Sequence, residues 1–101
     1  NNQFQLTALL HKVDVLRYTP AGVPVLDVVL QHESVQEENG LRHQVKFELP
    51  AKIIGEQAKA WQHKIGTMVE VSGFLAQRSQ RIFRPVLRIQ NIQEYKGKRH
   101  G

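Results

Sequence analysis

Apolar and polar residues alternate along most of this chain, and the few places where the alternation changes divide it into elements. Over 4–18, FQLTALLHKVDVLRY, residues Phe4, Leu6, Ala8 and Leu10 share one parity, and Val13 and Val15 continue the spacing on the other. A period of two places one set of side chains on one face of a sheet, so this segment predicts a strand. The change of parity between Leu10 and Val13 predicts a bulge or sharp bend, as in a strand that serves two sheets of a small barrel. TPAGVP at 19–24 is turn chemistry, with Pro20 presetting φ and Gly22 free to take positive φ. In VLDVVLQHESVQ, Leu26, Val28 and Leu30 alternate with Asp27, Val29 and Gln31, a second strand rich in β-branched residues. Asn39-Gly40 is a strong hairpin signal. A third strand follows in LRHQVKFELP, with Val45, Phe47 and Leu49 on one face and Arg42, Gln44, Lys46 and Glu48 on the other. Pro50, which cannot donate to a ladder, is expected to end it.

The period then changes. In AKIIGEQAKAWQHKI (51–65), Ile54, Ala58, Trp61 and Ile65 fall four, three and four apart, one stripe of a helix that Gly55 shortens or breaks. Gly66 suits a helix C-cap. TMVEVSGFLA predicts a fourth strand with Val69 and Val71 opposite Glu70 and Ser72, and Gly73 marks a bulge or close backbone approach. PVLRIQNIQEY predicts a fifth, with Leu87 and Ile89 inward and a second irregularity where Ile92 breaks the alternation. A short helix between the third and fourth of five strands is the order of the OB-fold, a partly open Greek-key barrel. The expectation is therefore a mainly all-β, five-stranded Greek-key OB-fold barrel with a short helix between strands 3 and 4. An SH3-like barrel has comparable strands but leaves the amphipathic insert unexplained. One domain over 1–95 and a flexible basic tail over 96–101 are expected, since 101 residues suit a single modest core.

Charge adds a direction to this frame. The net is +5, but residues 1–75 carry −1 and residues 76–101 carry +6. Arg78, Arg81, Arg84 and Arg88 fall in LAQRSQRIFRPVLRI, and no carboxylate lies between Glu70 and Glu94. A basic surface concentrated in this way points to a polyanion such as nucleic acid, with a merely solvated basic face as the competing reading. The chain has no cysteine, which removes disulfides and thiolate chemistry and suits a reducing cytoplasm. No apolar run approaches the ~20 residues of a membrane span, and NNQFQLTALL lacks the pattern of a secretory signal.

Catalysis finds little support. Nucleotide-loop, zinc-protease and nucleophile-elbow motifs are absent, and His11, His32, His43, His63 and His100 show no metal-ligand spacing. Neighbours in HES (32–34) point to opposite faces of a strand and cannot form a triad. No enzyme, cofactor or metal is expected. Single-strand binding needs a positive groove and platforms for stacking bases. Arg78, Arg81 and Arg84 on the last hairpin, Arg88 on the outer face of the strand after it, and Arg17, Arg42 and Lys46 on strands one and three supply the charge. Phe83 is the stacking candidate, or else a side chain packed on the barrel rim. Phe47, Phe74 and Trp61 sit in apolar stripes and read as core, while Tyr18 and Tyr95 fit either role.

The stretch RYTPAGVPVLDVVLQHESVQEENG (17–40), with VSGFLAQ and LRIQNIQ downstream, resembles the primosomal replication protein N (PriB) family, small bacterial relatives of single-stranded DNA-binding protein. The likeness extends over roughly residues 4–95. It implies a homodimeric OB-fold that binds single-stranded DNA and works beside the PriA helicase and DnaT at restarted replication forks. DNA in that family runs over the face of strands two and three and over the last hairpin. Arg17 and Arg84 keep a basic residue where enterobacterial members have one. Leu41 and Lys46 replace an aromatic and a tryptophan, Glu33 replaces an arginine, and the hairpin over 77–84 looks shorter. Binding weaker than in those members, leaning on charge and steeply salt-dependent, is the expectation. A general single-strand or RNA-binding OB protein and a protein–protein adaptor are the alternatives. The small core and the surplus of apolar positions in the first strand favour the dimer independently.

Overall fold

The computed structural model describes residues 1–77, 79–81 and 84–97. Its elements are β1 (Phe4–Val13), β2 (Arg17–Tyr18), β3 (Pro24–Glu38), β4 (Leu41–Ile54), α1 (Glu56–Trp61), β5 (Met68–Gln77) and β6 (Pro85–Glu94). β1, β3, β4, β6 and β5 pair in that circular order, closing a five-stranded barrel in which only β4 and β6 run parallel. β2 adds two residues to the outer side of β3.

The bend predicted in β1 is what closes the barrel. Residues Phe4–Leu9 pair with β5, and Leu9–Val13 pair with β3 across a register shift between Leu10 and Lys12. Thr19 holds the following turn, donating its N–H to Val23 O (2.9 Å) and accepting Val23 N–H at its hydroxyl (3.1 Å). Asn39 (φ 53°) and Gly40 (φ 77°) both take left-handed backbone, the requirement of a two-residue hairpin that matches strand twist. The core consists of Ala8 and Leu10 from β1, Leu26, Val28 and Leu30 from β3, Ala51 and Ile53 from β4, Val69 and Val71 from β5, and Leu87, Ile89 and Ile92 from β6. Each fully buried Leu or Ile contributes about 2 kcal/mol of apolar burial, and Ala58 of α1 is buried in the same cluster.

Three sequence expectations are corrected in the middle of the chain. Pro50 does not end the third strand; β4 runs through it to Ile54. Proline is tolerated where a strand is an edge, and β6 joins β4 only from Ala51 onward. Residues 51–54 are therefore strand and not helix, with Ala51 and Ile53 buried opposite Val28 and Leu26. The helix shrinks to six residues after Gly55, whose φ of 104° breaks the chain direction. Of the predicted stripe only Ala58 and Trp61 pack on the core, while Ile54 and Ile65 are exposed. Gly66 caps no helix; it turns the chain into β5, donating its N–H to Leu10 O at 2.8 Å.

The two irregularities expected near the end are one feature. Ile92 returns to the core because the β5–β6 register shifts between Ser72/Asn91 and Gly73/Ile89, leaving Gln90 as the extra residue.

Candidate nucleic-acid interface

Beyond Leu30 and Leu49, β3 and β4 leave the barrel as a two-stranded arm. His32 anchors its root. Its Nδ1–H donates to the Thr7 carbonyl of β1 (2.7 Å), and Nε2 accepts from the Ser34 hydroxyl (2.9 Å), which in turn accepts from Gln36 Nε2 (3.0 Å). Phe47 lies directly opposite His32, ring centroids 5.0 Å apart. Phe47 is 39% exposed and belongs to this arm, not to the core as its apolar stripe suggested. Phe74 also leaves the predicted core: its neighbours Gly73 and Leu75 face inward, and it lies outside beneath Arg88, whose guanidinium carbon is 5.7 Å from the ring centroid.

Strand parity gathers Arg42, Lys46 and Arg88 on one outer face. Arg42 and Lys46 stand on the outer side of the arm, opposite Glu37 and Glu33 of β3. Arg17 of β2 is exposed, and its guanidinium forks onto Asp27 (Nε–Oδ2 2.7 Å, Nη2–Oδ1 3.3 Å). The hydrogen bond to Asp27, reinforced by that carboxylate's charge, raises the Arg17 pKa above arginine's ordinary value, so it is a permanent cation. Arg81 and Arg84 are exposed in the β5–β6 connection, and Arg88 is half-buried on β6. Arg78 and Phe83 lie outside the described residues.

Two lysines on this face escaped the sequence reading. Lys52 stands between Asp27 of β3 and Arg88 of β6, and Lys12 of β1 is paired with Val29. Lys52 was hidden by the helical reading of 51–65. The bulge in β1 that places Lys12 on the same parity as Val29 was predicted, but its partner strand was not.

The face is thus graded. On the arm, each basic residue of β4 meets an acidic residue of β3, so opposite charges offset one another locally. Nearer the barrel, one rung runs Asp27, Lys52, Arg88, Phe74 across β3, β4, β6 and β5, with Arg17 already holding Asp27. That rung carries an excess of positive charge and an aromatic ring, and Arg84 and Arg81 lie beyond the start of β6.

A closed five-stranded barrel with a helix between β4 and β5 and one basic outer face defines an OB-fold protein of the single-strand-binding class. Residues 2–91 match the family model described as "Another single-strand binding protein family". Replication restart protein PriB of Neisseria meningitidis serogroup B is 60% identical over 97 residues, which span 96% of this chain and 97% of that protein. Its Klebsiella pneumoniae counterpart is 34% identical over 77 residues, 74% of each chain. The chain belongs to the PriB family of replication restart proteins. Among solved structures, PriB from Ralstonia solanacearum superposes with a TM-score of 0.83 at 32% identity, over 94% of this chain and 98% of that one. The single-stranded DNA binding protein from Thermus aquaticus superposes at 0.72 with 26% identity, over 97% of this chain and 52% of that one.

Proposed function

We propose that this protein is a non-catalytic, single-stranded-DNA-binding subunit of the bacterial replication-restart primosome, holding DNA chiefly by charge and supporting recruitment beside the PriA helicase and DnaT. The observation that carries the reading is the basic outer face of a PriB-family barrel, where Lys52 and Arg88 are neighbours on β4 and β6, with Arg81 and Arg84 exposed in the connection that leads into β6. A single strand presents phosphates at regular intervals, and flexible cations along a strand row meet them without reading sequence. At the arm, Leu41 and Lys46 offer no ring at the two positions where the resemblance drawn from the sequence implies aromatic platforms, which shifts the balance from stacking to charge.

We further propose that the working unit is a homodimer. β1 pairs with β3 only from Leu9 onward, so residues 4–8 present a sheet edge on the side away from β5. That edge, FQLTA, bears no charge and no proline, the devices that usually blunt an exposed strand.

Fluorescence anisotropy with a labelled single-stranded oligonucleotide, a duplex and an RNA, each at two salt concentrations, tests the binding. Single-stranded DNA is expected to bind best, with affinity falling steeply as salt rises. An Arg81→Ala/Arg84→Ala protein is expected to lose oligonucleotide affinity. Unchanged DNA binding together with lost helicase binding would instead identify the adaptor reading.

A further inference from the structure

The outer face holds a second rung beside the one described above. Lys12, Val29 and Pro50 follow one another across β1, β3 and β4. Val86, two positions before Arg88 on the same face of β6, closes it. Between the two rungs lies a cleft of ≈ 300 Å³ whose apolar lining includes Val29, Pro50 and Val86, with Lys12 and Lys52 on its rim. That volume sits at the lower end of sites that hold small molecules or parts of them.

We propose that this cleft is a nucleotide subsite on the path of the bound strand, with Lys52 and Lys12 as its phosphate-holding residues. The inference rests on the functional reading above and says where on the face the strand is held. Two carboxylates also line the cleft, Asp14 and Asp27. Asp27 has both oxygens engaged by Arg17, so its charge is already offset. Asp14 makes no side-chain hydrogen bond or ion pair among the described residues, so it offsets part of the positive charge of Lys12 without removing it. Lys52, beside Arg88, takes one phosphate, and Lys12 meets the next phosphate along the strand.

The sugar and one base face rest on Val29, Pro50 and Val86. This contact is aliphatic, so it tolerates any base. The arm offers no equivalent place: its Glu33–Lys46 and Glu37–Arg42 rungs are each balanced in charge and have no third strand beside them. A polyanion therefore gains more along the rows of β4 and β6 over the barrel than at the arm, where Arg42 and Lys46 lie.

Anisotropy titrations of a fluorescent single-stranded oligonucleotide with the full chain, as Lys52→Ala, Lys12→Ala, Arg42→Ala and Lys46→Ala, test the assignment. Each of the four side chains is on the surface, and circular-dichroism melts matching the parent establish that folding is unaltered. Lys52→Ala and Lys12→Ala are each expected to weaken binding about fivefold, and to lower the slope of log affinity against log salt by about 0.7, the share of one phosphate on a single strand. Arg42→Ala and Lys46→Ala are expected to change affinity less than about twofold. Equal losses across the four variants, or larger losses at Arg42 or Lys46, overturn the subsite while leaving the functional reading standing. A parent protein that binds duplex and single strand alike, or neither, overturns that reading and the subsite with it.

Discussion

Gly73 shows how one residue carries a requirement of the whole barrel. It lies at the register shift between β5 and β6, and a Cβ there would run into the carbonyl oxygen of Arg88 on the neighbouring strand. That oxygen belongs to backbone and cannot swing aside, so Gly73→Ala must spread the two strands where Arg88 covers Phe74. The expected cost is about 2 kcal/mol, in the range of an overpacked interior position. For a domain of this size that lowers the melting temperature by ~10 °C. A thermal melt followed by circular dichroism, unchanged from the parent, would show that the strands part without strain. The glycine was legible in the sequence as a bulge or close approach because an isolated Gly inside an alternating strand has few other reasons to exist. Phe74 beside it was misplaced for an instructive reason. Its size argued for the core, whereas strict alternation from Val69 and Val71 puts it with Glu70 and Ser72 on the outside. Parity was the better guide.

The elements were legible in proportion to how local their causes are. Asn39-Gly40 and the TPAGVP turn were readable because each depends on a few adjacent residues. The end of β4 was not, because Pro50 and the run AKII are decided by β6, a strand more than thirty residues later in the chain. Until that partner is known, the helical spacing of Ile54, Ala58, Trp61 and Ile65 competes with the two-residue spacing of Ala51 and Ile53. Pairing in the barrel wins, and Lys52 turns outward as a consequence. The same ladder is the ground for the proposal that the arm holds DNA less tightly than the barrel face: β3 contributes Glu33 and Glu37 opposite Lys46 and Arg42. Replacing both acids, Glu33→Gln with Glu37→Gln, leaves the two cations unopposed. Single-stranded DNA is then expected to bind a few-fold more tightly at low ionic strength, with the gain fading as the screening length falls to ~10 Å near 0.1 M salt. Salt-dependent anisotropy reads this directly. An affinity unmoved by the double substitution would mean that the strand never approaches the arm's outer face.

At the scale of the whole molecule, the barrel's closure was foreshadowed by the bend in β1, but the sequence carried no measure of how much of that strand remains unpaired. The small core and the apolar surplus of the first strand favoured a dimer without locating its contact. The pairing registers supply a location. Thr7 turns its carbonyl toward His32 and away from β5. In an antiparallel strand the residue two positions earlier presents its backbone groups on the same side, so Gln5 directs its N–H and C=O outward along the free edge. In the proposed dimer a second β1 running antiparallel would meet those groups and continue the sheet from one barrel into the next, while His32 occupies the Thr7 carbonyl and limits the edge on the arm side. Gln5→Pro removes the outward N–H at this position and leaves the ladder with β5 its own donors, since Leu6 and Ala8 face that way. Light scattering at micromolar concentration is expected to report a dimer for the parent and a monomer for Gln5→Pro, with both melting as folded domains. A dimeric Gln5→Pro protein would move the contact off this edge. A monomeric parent would remove the dimer altogether and leave the basic face of a single barrel as the whole DNA-binding surface.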